Sequence, residues 1–131
     1  NVLDVKLARL DAWNALRTAA AECYDRALRD LDEVILPSPA TGNHHVWHLY
    51  VVRVPRRDEV LASLHHAGVD AAIHYPTPIH RQAAFRECGL GREFPNADEA
   101  AERMISLPIY PGITEAQQDR VVAALRQAVR H

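Results

Sequence analysis

His45-Val46-Trp47-His48-Leu49-Tyr50-Val51-Val52-Arg53-Val54 is the stretch on which the fold turns. Valine recurs through it beside Trp47 and Tyr50, a β-branched and aromatic composition that predicts a strand. Alternation places Val46, His48, Tyr50, Val52 and Val54 on one face and Trp47, Leu49, Val51 and Arg53 on the other. Downstream, Asp58 can cap a helix that carries Val60, Leu61, Leu64 and Ala67 and ends at Gly68. Ala71-Ala72-Ile73-His74-Tyr75 reads as a further strand, cut by Pro76 and Pro78. Upstream, Val34-Ile35-Leu36 is a short strand stopped by Pro37 and Pro39, and Ala40-Thr41-Gly42-Asn43 is a turn.

Toward the N-terminal end, Leu3, Leu7, Leu10, Trp13, Ala20, Tyr24, Ala27 and Leu31 form the stripe of one long amphipathic helix, with Arg9, Arg17, Arg26 and Arg29 among its solvated positions. Past His80, Arg81 to Cys88 is a short helical piece containing Phe85 and stopped at Gly89. Asn96 with Glu99 suggests a capped helix over Ala97 to Ile105. Leu107-Pro108-Ile109-Tyr110 is then extended, and Pro111-Gly112 turns the chain. Thr114 with Gln117 is a second capping box, opening a last helix with Val121, Val122, Leu125 and Ala128 facing inward. The order predicts an α+β fold, a small sheet with helices packed on it, preceded by a long helix.

At 131 residues the chain is a single domain, 1–131. Hydrophobic residues at 48% and charged residues at 24% match a folded soluble domain and argue against disorder. Fifteen Lys and Arg against 17 Asp and Glu give a net charge of -2, so no global basic field points to nucleic acid. No run approaches the ~18 apolar residues of a membrane span. Asn1-Val2-Leu3-Asp4 has neither the basic start nor the apolar core of a signal peptide. Cys23 and Cys88 make no Cys-x-x-Cys pair and read as thiols of a reducing cytoplasm. Lys6 is the only lysine. The start at Asn1, already inside a helical pattern, reads as a trimmed piece of something longer.

Histidine is abundant, with eight residues. On one strand His44 and His48 would stand ~13 Å apart, too far to share a metal, and adjacent His65 and His66 point different ways. No spacing matches a zinc motif, so no metal site is expected. The segment His74-Tyr75-Pro76-Thr77-Pro78-Ile79-His80-Arg81-Gln82 stands apart. Polar and aromatic groups lie between prolines directly after a strand, where a stiffened loop presents side chains to a ligand. The same residues also read as a mere Pro-stiffened connection with Tyr75 packed in the core. There is no phosphate-cradling glycine loop and no Gly-x-Ser-x-Gly elbow. Asp58, Glu59, Asp98, Glu99 and Glu102 are explained by helix starts and exposed helical faces. These features give a binding-type loop and no catalytic centre.

Four stretches carry a family resemblance. Asp4-Val5-Lys6-Leu7-Ala8-Arg9-Leu10-Asp11-Ala12-Trp13-Asn14 resembles the helix that follows the large domain in the DegT/DnrJ/StrS family of sugar aminotransferases. His45 to Val54, with Arg57-Asp58, is similar to the family's central small-domain strand and following helix. Gly68-Val69 through His74-Tyr75-Pro76-Thr77-Pro78-Ile79-His80-Arg81-Gln82 resembles its most recognisable C-terminal motif. Phe94-Pro95-Asn96-Ala97 through Ser106-Leu107-Pro108-Ile109-Tyr110-Pro111-Gly112-Ile113-Thr114 resembles its closing signature. The likeness runs over nearly the whole chain in order.

The resemblance implies the C-terminal small domain of a pyridoxal-phosphate enzyme, with a mainly antiparallel sheet, helices on one side, and a place on one wall of the active-site cleft. Such enzymes move an amino group, usually from glutamate, onto a keto carbon of a nucleotide-linked sugar. A lysine amine forms the Schiff base and the protonated pyridine ring stores electrons. That lysine and the cofactor-binding residues belong to the large domain, and Lys6 matches a helix position instead. This chain is therefore expected to hold neither catalytic nor cofactor-binding residues. Its expected substrate contacts are His74, Tyr75 and His80, with Pro76 and Pro78 as stiffeners and His48 from the neighbouring strand. The family implies a homodimer, while the cysteines suggest the cytoplasm and the charge balance and hydropathy give neither nucleic acid nor membrane as partner. Two alternatives remain open from sequence: a stand-alone binding or regulatory module that kept this fold, and a dehydratase-like relative with the lysine replaced.

Overall fold

A two-stranded antiparallel sheet lies at the centre of the computed structural model, which describes residues 2–88 and 93–130. Strand β1 (Tyr50–Arg53) pairs with β2 (Met104–Leu107), Tyr50 opposite Leu107 and Arg53 opposite Met104. A single bridge widens it on each side. Ile35 and Arg53 exchange backbone hydrogen bonds of 2.9 and 3.0 Å, and Ala72 and Ser106 exchange bonds of 3.1 and 2.7 Å. The strands expected at 34–36 and 71–75 thus shrink to one pairing residue each. Pro37 and Pro76 lie just beyond them and have no N–H to continue a ladder.

β1 is also shorter than the strand expected over 45–54. Trp47 adopts a left-handed conformation, φ 52, and donates its N–H to His45 Nδ1 at 2.9 Å. The two rings lie 4.3 Å apart. This turn breaks the alternation. Trp47 is buried against Tyr50, while Val46 and His48, expected on the same face as Tyr50, are exposed.

The long N-terminal helix is two helices, α1 (Val2–Leu7) and α2 (Leu10–Leu28). Arg9 donates its N–H to Lys6, three residues back, at 3.0 Å, a tightened turn that separates them. No side chain of α1 is buried, so no core contact holds the two in line. α3 (Arg57–His66) starts one residue before Asp58, behind left-handed Arg56, and no side chain caps it. Asp58 lies in its first turn instead, 2.6 Å from Arg57 Nε, where a carboxylate favours the helix dipole. α4 (Pro95–Arg103) begins on proline at a position whose N–H is unpaired in any helix, which leaves Asn96 inside the first turn. Ile105, expected to be helical, lies in β2, because pairing with β1 takes the chain from Met104 onward. α5 (Glu115–Val129) carries the expected capping box. Thr114 Oγ1 accepts from Gln117 N at 3.2 Å, and Gln117 Oε1 accepts from Thr114 N at 2.9 Å.

The core gathers Tyr24 and Leu28 of α2, Tyr50 and Val52 of β1, Val60 and Leu64 of α3, Ile105 and Leu107 of β2, and Val121 and Leu125 of α5. Its two tyrosines keep their hydroxyls satisfied. Tyr24 donates to the Pro108 carbonyl at 2.8 Å and Tyr50 to Asp25 Oδ1 at 2.5 Å. Burial pushes both phenols well above their usual range. Buried Gln118 ties α5 to α2 by donating to the Ala20 carbonyl at 2.8 Å. Cys23 is a half-buried free thiol, whereas the Cys88 side chain and the stop expected at Gly89 lie outside the described residues. No helix among the described residues is long and apolar enough to cross a membrane.

Gly68 ends α3 in a left-handed conformation, φ 73, donating to the His65 carbonyl at 2.9 Å while Val69 donates to Leu64, also at 2.9 Å. A Cβ there would stand 2.9 Å from Arg120 Nη2, which itself donates to the Ala67 carbonyl. Gly68→Ala is expected to cost roughly 1–2 kcal/mol of stability, measured by urea denaturation.

Candidate functional site

The loop between the Ala72 bridge and α4 carries the candidate residues. The bridge sets Ala72 beside Ser106, and two residues further on His74 Nδ1 lies 2.9 Å from Ser106 Oγ. Tyr75 follows through a cis peptide bond, with its ring edge-on to His74 at 5.7 Å. It does not pack in the core: it is 72% exposed, which removes the reading of this segment as a core-packed connection. From Pro78 the chain makes one turn of 3-10 helix over Ile79–Arg81. Arg81 N–H donates to the Pro78 carbonyl at 3.0 Å and Gln82 N–H to the Ile79 carbonyl at 3.1 Å.

This turn is latched to α4. Asp98, in the first turn of α4, accepts from Arg81 Nε at 2.5 Å and Nη2 at 2.8 Å, a bidentate pair. His80 Nε2 lies 3.2 Å from the same carboxylate oxygen, and its ring stands 4.9 Å from that of Phe94. The hydrogen bond from Arg81 holds the Asp98 carboxyl below the usual carboxylate range, with the charges of Arg81 and His80 adding to it. Asp98 in turn holds the Arg81 guanidinium above its ordinary value.

Between this turn and α4 runs an open groove of about 530 Å³, walled by Tyr75, Ile79, His80, Phe94, Ala97 and Met104 among others. The structure therefore brings Tyr75 and His80 to one groove, whereas His74 is not among its walls and meets Tyr75 edge-on at 5.7 Å. His48 is not among its walls. It is exposed on the segment ahead of β1, carried there by the turn at Trp47. Three residues that sequence reading passed over complete the arrangement. Asp98 reads as an ordinary helix-start carboxylate, because its partners lie 17 and 18 positions upstream with no local pattern to link them. Phe94 is visible only as part of a signature. Ser106 carried a usable signal: it is a polar side chain in a strand between buried Ile105 and Leu107, and such a group needs a partner.

Among the described residues, no three His, Cys, Asp or Glu side chains gather to hold a metal ion. Elsewhere His65 Nε2 meets the Ala71 carbonyl at 2.7 Å, a structural contact.

The profile of the DegT/DnrJ/EryC1/StrS aminotransferase family matches residues 1–126, and the chain belongs to that family. It is 41% identical over 126 residues to the erythromycin biosynthesis sensory transduction protein EryC1 of Saccharopolyspora erythraea, an alignment covering 95% of this chain and 34% of that one. To the dTDP-3-amino-3,4,6-trideoxy-alpha-D-glucose transaminase of Streptomyces venezuelae it is 39% identical, over 96% of this chain and 34% of the relative. Its fold superposes on S. venezuelae DesV, solved in complex with a ketimine intermediate, with a TM-score of 0.92 at 37% identity, covering 99% of this chain and 35% of the other. A family aminotransferase from Brucella abortus gives a TM-score of 0.87 at 30% identity, over 99% of this chain and 35% of that one. The chain thus spans about a third of the length of these relatives.

Pyridoxal phosphate does not fit the residues present here. Lys6, the sole amine side chain, is exposed on α1 beside Leu3, Leu7, Leu10 and Trp13, and the groove walls include no lysine. Among the described residues, the groove walls also include no glycine that would let backbone N–H groups close on a phosphate.

The latch has a pH signature. Because the Asp98 pKa is depressed on folding, its contribution is present above the free carboxylate value of ~3.9 and is lost as pH falls through the lower folded value. Asp98→Asn is expected to speed amide exchange over residues 79–82 near neutral pH and to remove its acid dependence. Hydrogen exchange corrected for intrinsic rates checks both.

Proposed function

We propose that this chain is the small domain, residues 1–131, of a pyridoxal-phosphate-dependent aminotransferase that moves an amino group from a donor, glutamate, onto a nucleotide-linked keto-sugar. The likeness to the S. venezuelae transaminase over nearly the whole chain carries this reading. The groove beside the His74–His80 loop supports it: a concave surface, mostly apolar, edged by a few hydrogen-bonding side chains. The cofactor is held by residues outside this chain, which alone is inactive.

On this reading the loop forms one wall of the substrate cleft. Tyr75 offers an exposed phenol, and His74 a ring already fixed on one side by Ser106. His80 has its Nε2 committed to Asp98, so it presents its ring to the groove and anchors the turn that carries Ile79. Ile79, Phe94 and Met104 exclude water from the substrate's less polar surface. His48, exposed and outside the groove walls, is retained only as a contact to ligand extending toward β1. The assembly is a homodimer, as the family resemblance implies, in the reducing cytoplasm that the unpaired cysteines suggest.

Intact mass of the native polypeptide tests the domain assignment. A species about three times the 14.7 kDa of this chain, carrying the yellow cofactor, is the expected result. A colourless species near 14.7 kDa would favour the stand-alone module. In the native enzyme, Tyr75→Phe is expected to lower kcat/KM by about three- to tenfold, the worth of one hydrogen bond, and His80→Ala by a similar factor through loss of its ring wall and its tie to Asp98, with cofactor absorbance unchanged. Unchanged kinetics in both variants would return the loop to a structural role.

A further inference from the structure

Ser106 has a hydroxyl that no backbone group satisfies. Its backbone N–H and carbonyl are both spent on Ala72, at 2.7 and 3.1 Å. Its side chain, in a residue 5% exposed, projects from the face of β2 opposite Ile105 and Leu107. A hydroxyl proton in such a place needs an acceptor, since leaving it unpaired forfeits its hydration without return. Among the described residues, its one hydrogen-bonding partner is His74 Nδ1, 2.9 Å away.

That accounting fixes the direction of the bond. Were Nδ1 protonated, it would donate to Oγ and leave the serine proton with no acceptor. With Ser106 donating, Nδ1 carries the lone pair and the proton of the neutral ring stands on Nε2. Nε2 has no hydrogen-bond partner among the described residues, and the edge-on ring of Tyr75 limits how far the imidazole can turn.

We propose that Ser106 is a positioning residue that locks His74 as the Nε2–H tautomer, so that the ring presents a hydrogen-bond donor to an acceptor oxygen of the bound substrate. The lock is built into the sheet. The strand residue that holds the ring is the same one whose backbone fixes the start of the loop, so ring and loop keep one geometry. The substrate contact rests on the function proposed above, whereas the tautomer does not.

Two measurements on the native enzyme separate these. With histidine labelled by nitrogen-15, two-bond proton–nitrogen correlation is expected to show His74 with an unprotonated Nδ1 and a protonated Nε2. Ser106→Ala is expected to mix the two tautomers and Ser106→Thr to restore one. A protonated Nδ1 in the unmodified enzyme, or an unaltered pattern in Ser106→Ala, overturns the lock. In kinetics, Ser106→Ala and His74→Ala are each expected to lower kcat/KM by about tenfold, and the double variant by little more than His74→Ala alone. Losses that simply add would mean Ser106 acts on stability and not through His74. Unchanged kinetics in His74→Ala would remove the substrate contact, and the nitrogen spectra would still decide the tautomer.

Discussion

The arrangement depends on β2 being held from both sides at Ser106. Toward one side this residue stands opposite Val51 in the antiparallel ladder, and toward the other it bridges Ala72 through two backbone hydrogen bonds. Everything that follows in the loop is measured from that point. Without the bridge, the segment from His74 onward would be tied only through its side chains. With it, the loop leaves the sheet at a fixed position and direction, and the prolines restrict what it does next. The second tie, Arg81 and His80 on Asp98, closes the far end onto α4. A loop pinned at both ends and stiffened between loses little further entropy when a ligand binds, and preorganisation of that kind is retained as affinity.

The core explains why the pin is secure. β2 presents Ile105, Ser106 and Leu107 as consecutive buried residues, so both of its faces are covered. A strand of four residues could not hold register by itself. It is held because α3 and α5 bury Leu64 and Leu125 in the same cluster as Ile105 and Leu107, while Tyr24 reaches across to bond Pro108 immediately after β2. The phenol bond of Tyr24 is a long-range one, so it fixes the exit of β2 as the Ala72 bridge fixes its middle.

Local rules read this chain well where the determinant is local. The capping box at Thr114, the left-handed stop at Gly68, the inward residues of α5 and the prolines of the loop are all visible in a few adjacent residues. They were misleading where tertiary pairing or an unusual backbone decided the outcome. The apolar stripe of the first helix runs unbroken through Arg9, yet α1 buries nothing and a tightened turn separates it from α2 there. Trp47 looked like strand and is a turn, because its N–H found the imidazole of His45. Ile105 looked helical until β1 offered it a ladder. Of the site, the His74–His80 loop was legible as a stiffened, polar segment. Asp98 was not, since a carboxylate in a first helical turn already has a sufficient local explanation. The resemblance implies His48 as a contact from the neighbouring strand, yet the strand begins only at Tyr50, beyond the turn at Trp47.

The kind of groups around the groove limits what they can contribute. Phenol, imidazole, amide and apolar walls recognise and orient, and each hydrogen bond is worth about 0.5–1.5 kcal/mol net, or a factor of roughly 2 to 12 in binding or rate. An amine that forms a covalent bond with a cofactor contributes far more, and its loss abolishes the reaction. No such group stands among the groove walls, and Lys6 is turned to solvent on α1. On the proposed function, substitutions within this chain grade activity and choice of substrate and do not abolish the reaction. Because Tyr75, Ile79 and Phe94 line the groove from a loop pinned at both ends, exchange of these residues reshapes the groove while β2, the Ala72 bridge and the Asp98 latch stay unchanged.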